Sequence, residues 1–234
     1  MSNLYIVATP IGNLEDMTLR AIRVLGEVDF ILSEDTRVTG KLLKHYEIKT
    51  KTYSFHEHSN DDVYEKILEQ LKDGKDFALV SDAGTPGISD PGSRLINFLR
   101  EKENAGEISD LNIIPLPGAS ALSSAVSVAG LHGSEFYFAG FAPKKKGKQT
   151  FLKSLPELTD KFGAVVFFES GHRILKTIKG VEEFYPATKT EPKITLAKEL
   201  TKIHEKIIKG TSVEIINYLN DEKHQKGEFV VIVE

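Results

Sequence analysis

The sequence contains no cysteine, which excludes disulfide bonds and thiolate metal sites. No apolar run approaches the roughly 20 residues that a membrane-spanning helix needs. The first residues, Met1-Ser2-Asn3-Leu4, lack the basic stretch that opens a secretory signal, and a strand-like run begins at once. Hydrophobic residues make up 40% of the chain, enough for a substantial core. We therefore expect a cytoplasmic enzyme or binding protein.

The motifs of common phosphate, metal and nucleophile sites are also missing. Neither a P-loop pattern G-x-x-x-x-G-K-[ST] nor a G-x-G-x-x-G after the first strand is present, which disfavours P-loop NTPases and ordinary dinucleotide sites. The sequence has no H-E-x-x-H and no G-x-S-x-G. His56 and His58 flank Glu57 and would face one side of a strand. We favour a hydrogen-bonding or substrate-lining role for them over metal ligation, and we expect no metal.

Basic residues are slightly outnumbered overall, 30 Lys/Arg against 34 Asp/Glu, and they are unevenly distributed. The formal net charge is −4, which argues against a protein that coats nucleic acid. Residues 1–115 contain 13 Lys/Arg and 20 Asp/Glu, whereas residues 116–234 contain 17 and 14. The second half is therefore mildly basic, a charge that suits contact with phosphate.

Short apolar runs alternate with amphipathic segments in the first half. Strands are predicted at residues 4–8, 29–32, 52–55, 77–80 and 111–116, and helices at 18–25, 41–46, 61–72, 93–102 and 121–129. This alternation indicates a parallel sheet covered on both faces. In the second half, strands are predicted at 136–139, 164–168, 194–197, 203–208 and 229–233, with a helix at 174–184. We predict two α/β domains, residues 1–116 with a parallel sheet and residues 117–234 with a mixed sheet.

Four polar or glycine-rich loops follow predicted strands of the first half, at residues 9–13, 33–37, 81–92 and 117–120. In a parallel sheet they share one edge, where open α/β proteins bind ligands. The third loop reads S-D-A-G-T-P-G-I-S-D-P-G and is much longer than the usual 2–6 residues. Turn geometry alone explains any one such loop. The four together favour a ligand site.

The loops, in this order, resemble the tetrapyrrole-methylase superfamily, and within it the bacterial small-subunit rRNA ribose 2′-O-methyltransferases. The segments that carry the resemblance run from Leu4 to Glu205. They are L-Y-I-V-A-T-P-I-G-N-L-E-D-M-T-L-R-A, S-E-D-T-R, S-F-H-E-H-S-N, V-S-D-A-G-T-P-G-I-S-D-P-G, P-L-P-G-A-S-A, F-A-G-F-A-P-K-K-K-G, V-V-F-F-E-S-G-H-R-I and A-K-E-L-T-K-I-H-E.

The resemblance implies S-adenosylmethionine (SAM) in a cleft between two α/β domains, a homodimer, and methyl transfer to a cytidine ribose in the decoding region of 16S rRNA. The SAM contacts it implies are Pro10, Ala83, Gly84, Thr85, Ile88, Ser120, Ala121, Phe168 or Glu169, Leu200 and Thr201. These residues suit the ligand physically. Glycine-loop backbone groups can hold the amino-acid end of SAM, apolar side chains can cover its adenine, and a helix N-terminus can bind its carboxylate.

A ribose hydroxyl is a poor nucleophile, so a nearby base or a cation that favours its alkoxide would assist transfer. From their places in the matching motifs, we predict that Arg37, Glu169 and Lys198 ring the acceptor pocket. Further polar candidates are Asp35, His56, His172, Arg173 and Glu199. The alternative for Asp35–Arg37 and for Lys198–Glu199 is a salt bridge or a loop cap.

RNA binding is predicted for the run at residues 144–148 together with Arg173, Lys193, Lys198 and Lys202, although a lysine run is also typical of a solvated loop. Family members usually continue past the last strand as a small helical segment, whereas this sequence ends at Glu234. Whether such a segment contacts RNA is left open.

Two other functions are also open: methylation of a porphyrin-like small molecule, and a SAM- or nucleotide-sensing module without catalysis.

Overall fold

The structure is a computed structural model that describes residues 1–185 and 191–234. The chain divides into two compact units, Met1–Ser120 and Ala121–Glu234. The domain boundary predicted from the sequence, after residue 116, lies at the end of a strand shortly before this division. Both units are α/β, as predicted. Among the helices of the described residues, none is both long and apolar enough to cross a membrane.

The first unit is built around five strands. They are β1 (Ser2–Val7), β2 (Phe30–Ser33), β3 (Lys51–Ser54), β4 (Phe77–Val80) and β5 (Leu111–Leu116). Its helices are α1 (Leu19–Glu27), α2 (Thr36–His45), α3 (Asp61–Lys72) and α4 (Gly92–Asn104), with a short 3-10 helix at Leu14–Asp16. The sheet order is β3-β2-β4-β1-β5 and every pairing is parallel, which confirms the predicted parallel sheet.

Helices cover both faces of this sheet, and the side chains of β4 pack alternately against the helices of the two faces. Phe77 and Leu79 pack with α3 and α4, whereas Ala78 and Val80 pack with α1 and α2. A strand buried on both faces reads as an unbroken apolar run, which is why this segment was predictable. The strands β1 and β4 are neighbours, yet the helices that follow them, α1 and α4, lie on opposite faces. Such a switch point opens a crevice at the carboxyl edge of a sheet.

The second unit has a mixed sheet, as predicted. Its strands are β6 (Tyr137–Phe141), β7 (Val165–Ser170), β8 (Lys193–Lys198), β9 (Lys206–Thr211) and β10 (Glu228–Val233). Its helices are α5 (Ala121–Ala129), α6 (Lys148–Phe162), α7 (Gly171–Phe184) and α8 (Ser212–Leu219), with a 3-10 helix at Glu222–Gln225. In the order β6-β7-β10-β8-β9, β6 and β7 are parallel and the other three pairings are antiparallel.

One face of this second sheet carries the main core of the unit. Phe167, Leu196 and Val231 point to that face and pack with α6, α7 and α8. The small helix α5 contacts β10, and the Nζ of Lys209 donates to the carbonyl of Ala129 at its last turn (2.8 Å). A cation at this position satisfies an orphan carbonyl and opposes the helix dipole.

Two helices of the second unit were not predicted. Helix α6 has the helical spacing of apolar residues at 151, 152, 155 and 158, but Pro156 in its middle disguised the pattern. Helix α8 starts at a capping box, in which the side chain of Thr211 accepts from the backbone N–H of Glu214 and the Glu214 side chain accepts from that of Thr211. This local signal was present in the sequence.

Several predicted boundaries were wrong, and two of them have a clear physical cause. Strand β9 begins at Lys206 rather than at residue 203, because residues 199–205 form a turn in which Glu199 and Thr201 have φ of 49° and 65°. Helix α2 begins at Thr36 rather than at residue 41, because the side chain of Asp35 caps it by accepting from the backbone N–H of Arg37.

Candidate functional site

The four predicted ligand loops follow β1, β2, β4 and β5, so all four lie at the carboxyl edge of the first sheet. The loops after β1 and β4 are neighbours at the switch point. Their backbones are tied together by two hydrogen bonds: the N–H of Thr9 donates to the carbonyl of Gly84 (2.9 Å), and the N–H of Gly84 donates to the carbonyl of Thr9 (3.0 Å). Gly84 adopts φ of 82°, a left-handed conformation that favours glycine.

The long loop of residues 81–92 is braced from inside. The carboxylate of Asp90 accepts from the backbone N–H groups of Gly87 (2.9 Å) and Gly92 (2.7 Å). A Cβ atom at Gly92 would lie 2.9 Å from that carboxylate and 3.0 Å from the Gly87 nitrogen, so glycine is required for this close approach. The bracing fixes the intervening turn, where Ile88 stays partly exposed. An apolar side chain held outward on a rigid turn is available to a ligand.

The loop after β5 joins the same edge. The hydroxyl of Thr85 donates to the carbonyl of Ala119 (3.3 Å), next to Ser120. Gly118 lies against Ala8, the residue after β1, since a Cβ at position 118 would be 2.9 Å from the Cβ of Ala8. The structure therefore brings the predicted residues Pro10, Gly84 and Thr85 together with Ser120, while Ala121 is the first residue of α5.

The loop after β2 presents charged groups at this edge. The guanidinium of Arg37 pairs with the carboxylate of Asp35 (2.6 Å), while its own side chain is 87% exposed. Asp35 therefore both caps α2 and forms the salt bridge that was the predicted alternative to a catalytic role. The hydrogen bonds from Arg37 lower the pKa of Asp35 to about 2. The backbone N–H of Asp35 donates to Asp82 (3.0 Å), which links this loop to the loop after β4.

We expect Arg37→Ala to raise the pKa of Asp35 from about 2 towards its ordinary 3.8, because the guanidinium makes the strongest of its hydrogen bonds. The return should be partial, since the backbone N–H of residue 37 still donates. A depressed carboxyl pKa adds stability at neutral pH that is lost as the pH falls below about 4 towards 2. An NMR titration of the carboxyl measures the shift, with Arg23→Ala as control. An Asp35 that still titrates near 2 in Arg37→Ala would contradict the assignment.

Sequence reasoning missed Glu34, although it lies inside the S-E-D-T-R segment. Partial burial raises the pKa of its carboxyl, and the nearby charges of Asp82, Asp90 and Glu57 add to the effect. Within the described part of the chain, Glu34 alone among these four carboxylates has no hydrogen-bond donor. These four acidic residues are brought together by the pairing of strands that are distant in sequence, so the sequence alone did not reveal the cluster.

The His-Glu-His segment is not part of a strand, because β3 ends at Ser54. It forms a turn in which Nδ1 of His56 accepts from the backbone N–H of His58 (3.2 Å). The side chain of Glu57 pairs with Arg94 (3.3 Å). The expectation that the two histidines face one side of a strand was therefore wrong.

In the second unit, the side chain of Glu169 is fully buried and has several donors. Arg173 forms an ion pair with it, the N–H of Ser170 donates to its Oε1 (2.8 Å), and the hydroxyl of Thr177 donates to its Oε2 (2.6 Å). The Nζ of Lys148 donates in turn to Thr177 (2.7 Å). Arg173 also donates to the carbonyl of Ala142 (3.0 Å) and to Ser170 (3.2 Å), so each of its three guanidinium nitrogens has a partner.

Phe168 and Glu169 point to opposite faces of the second sheet, as consecutive strand residues must. Glu169 faces the helices, whereas the ring of Phe168 contacts the rings of Phe138 and Phe141, with centroids 5.1 and 5.3 Å away. Phe141 is 59% exposed. Of the two residues, Phe168 is therefore the one whose side chain borders exposed apolar surface.

Lys198 lies in the same row of the second sheet as Glu169, with Phe229 paired between them. Two strand spacings place the two backbones about 10 Å apart. The Nζ of Lys198 donates to the carbonyl of Lys223 (3.2 Å) and lies 5.9 Å from the Phe229 ring centre. The structure thus brings Glu169 and Lys198 to one face of one sheet. Arg37 belongs to the other unit, so the predicted ring of three stays a prediction.

Leu200 and Thr201 occupy a tight turn after β8. Glu199 holds the turn by accepting from the N–H of Glu228 (2.9 Å) and from the Nζ of Lys202 (2.9 Å). Partial burial opposes ionisation of Glu199, but these two hydrogen bonds and the charges of Lys202 and Lys198 together lower the pKa of the carboxyl. Leu200 is buried and Thr201 half-buried. Glu199 therefore acts as a cap for the turn, which was the predicted alternative to a role at the acceptor.

The fold defines a class of protein. Solved structures with the same architecture include a cobalamin biosynthetic enzyme, cobalt precorrin-4 methyltransferase (TM-score 0.63, 16% identity, 98% of this chain and 94% of that chain). Another is the uroporphyrin-III C-methyltransferase of Thermus thermophilus in complex with S-adenosylhomocysteine (TM-score 0.61, 16% identity, 99% and 96%). The family model for Tetrapyrrole (Corrin/Porphyrin) Methylases matches residues 3–216.

Comparison with curated relatives by sequence identity narrows the family to one group of enzymes. The chain is 42% identical to Ribosomal RNA small subunit methyltransferase I of Synechocystis sp., over all of this chain and 79% of the relative. It is 41% identical to the enzyme of that name from Bacillus subtilis (100% and 75%) and 42% identical to that from Thermotoga maritima (100% and 98%). The chain thus belongs to the tetrapyrrole methylases, within the group of ribosomal RNA small subunit methyltransferase I enzymes.

Proposed function

We propose that the protein transfers the methyl group of SAM to the ribose 2′-hydroxyl of a cytidine in the decoding region of 16S rRNA. The observation that carries the proposal is identity of about 42% over the full chain with ribosomal RNA small subunit methyltransferases. The braced loops at the switch point of the first unit supply a suitable place for a small polar ligand.

SAM is proposed to contact the set Pro10, Ala83, Gly84, Thr85, Ile88, Ser120, Ala121, Phe168, Leu200 and Thr201. The backbone around Gly84 suits the amino-acid end of SAM, because glycine allows close approach. Apolar Ile88 and Phe168 suit its adenine. For Glu169, whose side-chain oxygens already have donors, a direct contact would use the backbone.

The reaction is an in-line displacement at the methyl carbon. The ribose 2′-oxygen forms the new bond to carbon, the sulfonium–carbon bond breaks with its electron pair going to sulfur, and the hydroxyl proton leaves to a base or to water. Much of the acceleration comes from holding oxygen, carbon and sulfur in line. Cations near the acceptor, for which Arg37 and Lys198 are proposed, would favour the alkoxide.

A transfer assay with labelled SAM tests the proposal directly. We expect label in 16S rRNA of 30S subunits that lack the modification, and resistance of the methylated linkage to alkaline cleavage, since a 2′-O-methyl group removes the attacking hydroxyl. A uroporphyrin-type acceptor, suggested by the family description, serves as the competing substrate. Label in the porphyrin and not in RNA would overturn the proposed acceptor. SAM binding with no transfer to either would favour a sensing module.

Phosphate binding is proposed for Lys144, Lys145 and Lys146, which are exposed in the loop between β6 and α6. Replacing all three by alanine should weaken binding to 30S subunits and reduce the slope of log Kd against log salt by roughly two to three. The matched control is alanine at Lys41, Lys44 and Lys49, which removes the same charge from exposed positions of the first unit. Equal slopes for the two triple variants would place RNA binding elsewhere.

A homodimer and a cytoplasmic location complete the proposal. Both follow from the family resemblance and from the ribosomal substrate. Sedimentation equilibrium of the purified protein tests the first, with a mass of twice 26.0 kDa expected. A monomer at micromolar concentration would contradict it.

A further inference from the structure

Residues 143–147, which lie between β6 and α6, are attached at both ends to the buried carboxylate of Glu169. We call this segment the basic loop. On its amino-terminal side, the carbonyl of Ala142 accepts from Arg173 (3.0 Å), and Arg173 is ion-paired with Glu169. On its carboxyl-terminal side, Lys148 donates to Thr177 (2.7 Å), and Thr177 donates to Glu169 (2.6 Å).

The two hydrogen bonds through Thr177 have a definite donor order, from Lys148 to Thr177 and from Thr177 to Glu169. A hydroxyl has one proton and two lone pairs, so Thr177 can accept from the Lys148 ammonium while it donates to Glu169. The carbonyl of Arg173 is a second acceptor at 3.0 Å, but the carboxylate is closer and charged. Thr177 is fully buried, which strengthens both hydrogen bonds.

Lys148 differs from the other lysines of its run. Burial lowers the pKa of its ammonium, an effect that the nearby charge of Glu169 opposes. Its partner is a buried hydroxyl, whereas Lys144, Lys145 and Lys146 are exposed. Between the two attachments, Gly147 adopts φ of 89° and the N–H of Lys148 donates to the carbonyl of Lys145 (3.3 Å). The chain is thus turned so that three lysines project from a short, anchored loop.

The structure assigns Lys148 and Thr177 a positioning role: through Glu169 they hold the basic loop in the shape in which its three exposed lysines bind RNA phosphates. Neither residue touches the RNA. The inference rests on the proposed function for the identity of the ligand, a phosphodiester backbone. Anchoring the loop in advance reduces the conformational entropy that would otherwise be lost on binding.

The test compares Thr177→Val, which removes the hydroxyl, with Thr177→Ser, which keeps it. In Thr177→Val we expect about tenfold faster tryptic cleavage after Lys144, Lys145 and Lys146 in the native protein, because local opening of the loop costs less. We also expect a roughly five- to tenfold higher KM for 30S subunits at unchanged kcat, since the ordering cost moves into the binding step. Thr177→Ser should match the natural protein in both measurements.

The outcomes separate this inference from the proposed function. Equal cleavage rates in the Val and Ser variants would overturn it even where RNA is methylated normally. Faster cleavage with an unchanged KM would overturn it too, because the loop would then be anchored without serving the RNA. Failure of RNA methylation by the natural protein would instead remove the proposed function, and with it the assigned ligand. Should Thr177→Val not fold, Lys148→Met breaks the same link, with Lys179→Met, at an exposed position of α7, as the control for lost charge.

Discussion

We expect Gly84→Val to weaken SAM binding by about a hundredfold or more, whereas Gly74→Val leaves it unchanged. The two glycines have nearly the same backbone conformation, with φ of 82° and 79°. Valine at either position should therefore cost a similar strain, roughly 1–2 kcal/mol. The two variants differ in where the valine lies. Gly84 is at the switch point and is hydrogen-bonded to Thr9, whereas Gly74 follows helix α3.

The magnitude follows from the proposed contacts. Displacing the glycine-loop backbone from a charged ligand would remove two or more hydrogen bonds at roughly 1.5 kcal/mol each, which is about a hundredfold in Kd. A Cβ at Gly84 already lies 3.4 Å from Ile11, so the branched side chain must displace its surroundings, whereas Gly74 has nothing within 4 Å. Isothermal titration with SAM measures the effect, and thermal unfolding checks that both variants remain folded. Similar affinities in the two variants would exclude this loop from the SAM site.

The architecture of the first unit was predictable because its signals are local. The run Phe77–Val80 is apolar throughout and ends at a turn-rich loop, and α3 was predicted with its observed bounds. Loops that follow parallel strands share an edge whatever the strand order, so the candidate site could be placed without knowing the topology. The switch point itself could not, because it depends on which face each helix covers.

The candidate residues of the second unit were harder to interpret because their burial and several of their contacts depend on tertiary packing. Asp35 and Arg37 are two residues apart, and their salt bridge was an alternative available from the sequence. The partners of Glu169 include Thr177 and, through it, Lys148, while Lys198 donates to Lys223. The period of two in a strand separates Phe168 from Glu169, but only the tertiary packing of α6, α7 and α8 decides which of them is buried.

The buried ion pair of Glu169 and Arg173 leads to the second large expected effect, which is on stability. We expect Arg173→Ala to lower the free energy of unfolding by about 3–5 kcal/mol, because it leaves the carboxylate of Glu169 buried without its cation. The side chain of Glu169 has 0% exposure and that of Arg173 21%. The matched control is Arg94→Ala. Arg94 also pairs with a glutamate and donates to a backbone carbonyl (3.1 Å), but the pair is 58% and 66% exposed. An exposed pair of this kind contributes at most about 1 kcal/mol.

Urea unfolding followed by far-UV circular dichroism measures both variants. Replacing Glu169 and Arg173 together by methionine should cost much less than the sum of the two single changes, because neither member of the ion pair is then left without its partner. That non-additivity distinguishes a buried ion pair from two residues that merely fill space. A loss in Arg173→Ala no larger than that in Arg94→Ala would mean that water reaches Glu169. The carboxylate would then be accessible for the role at the acceptor that its motif first suggested.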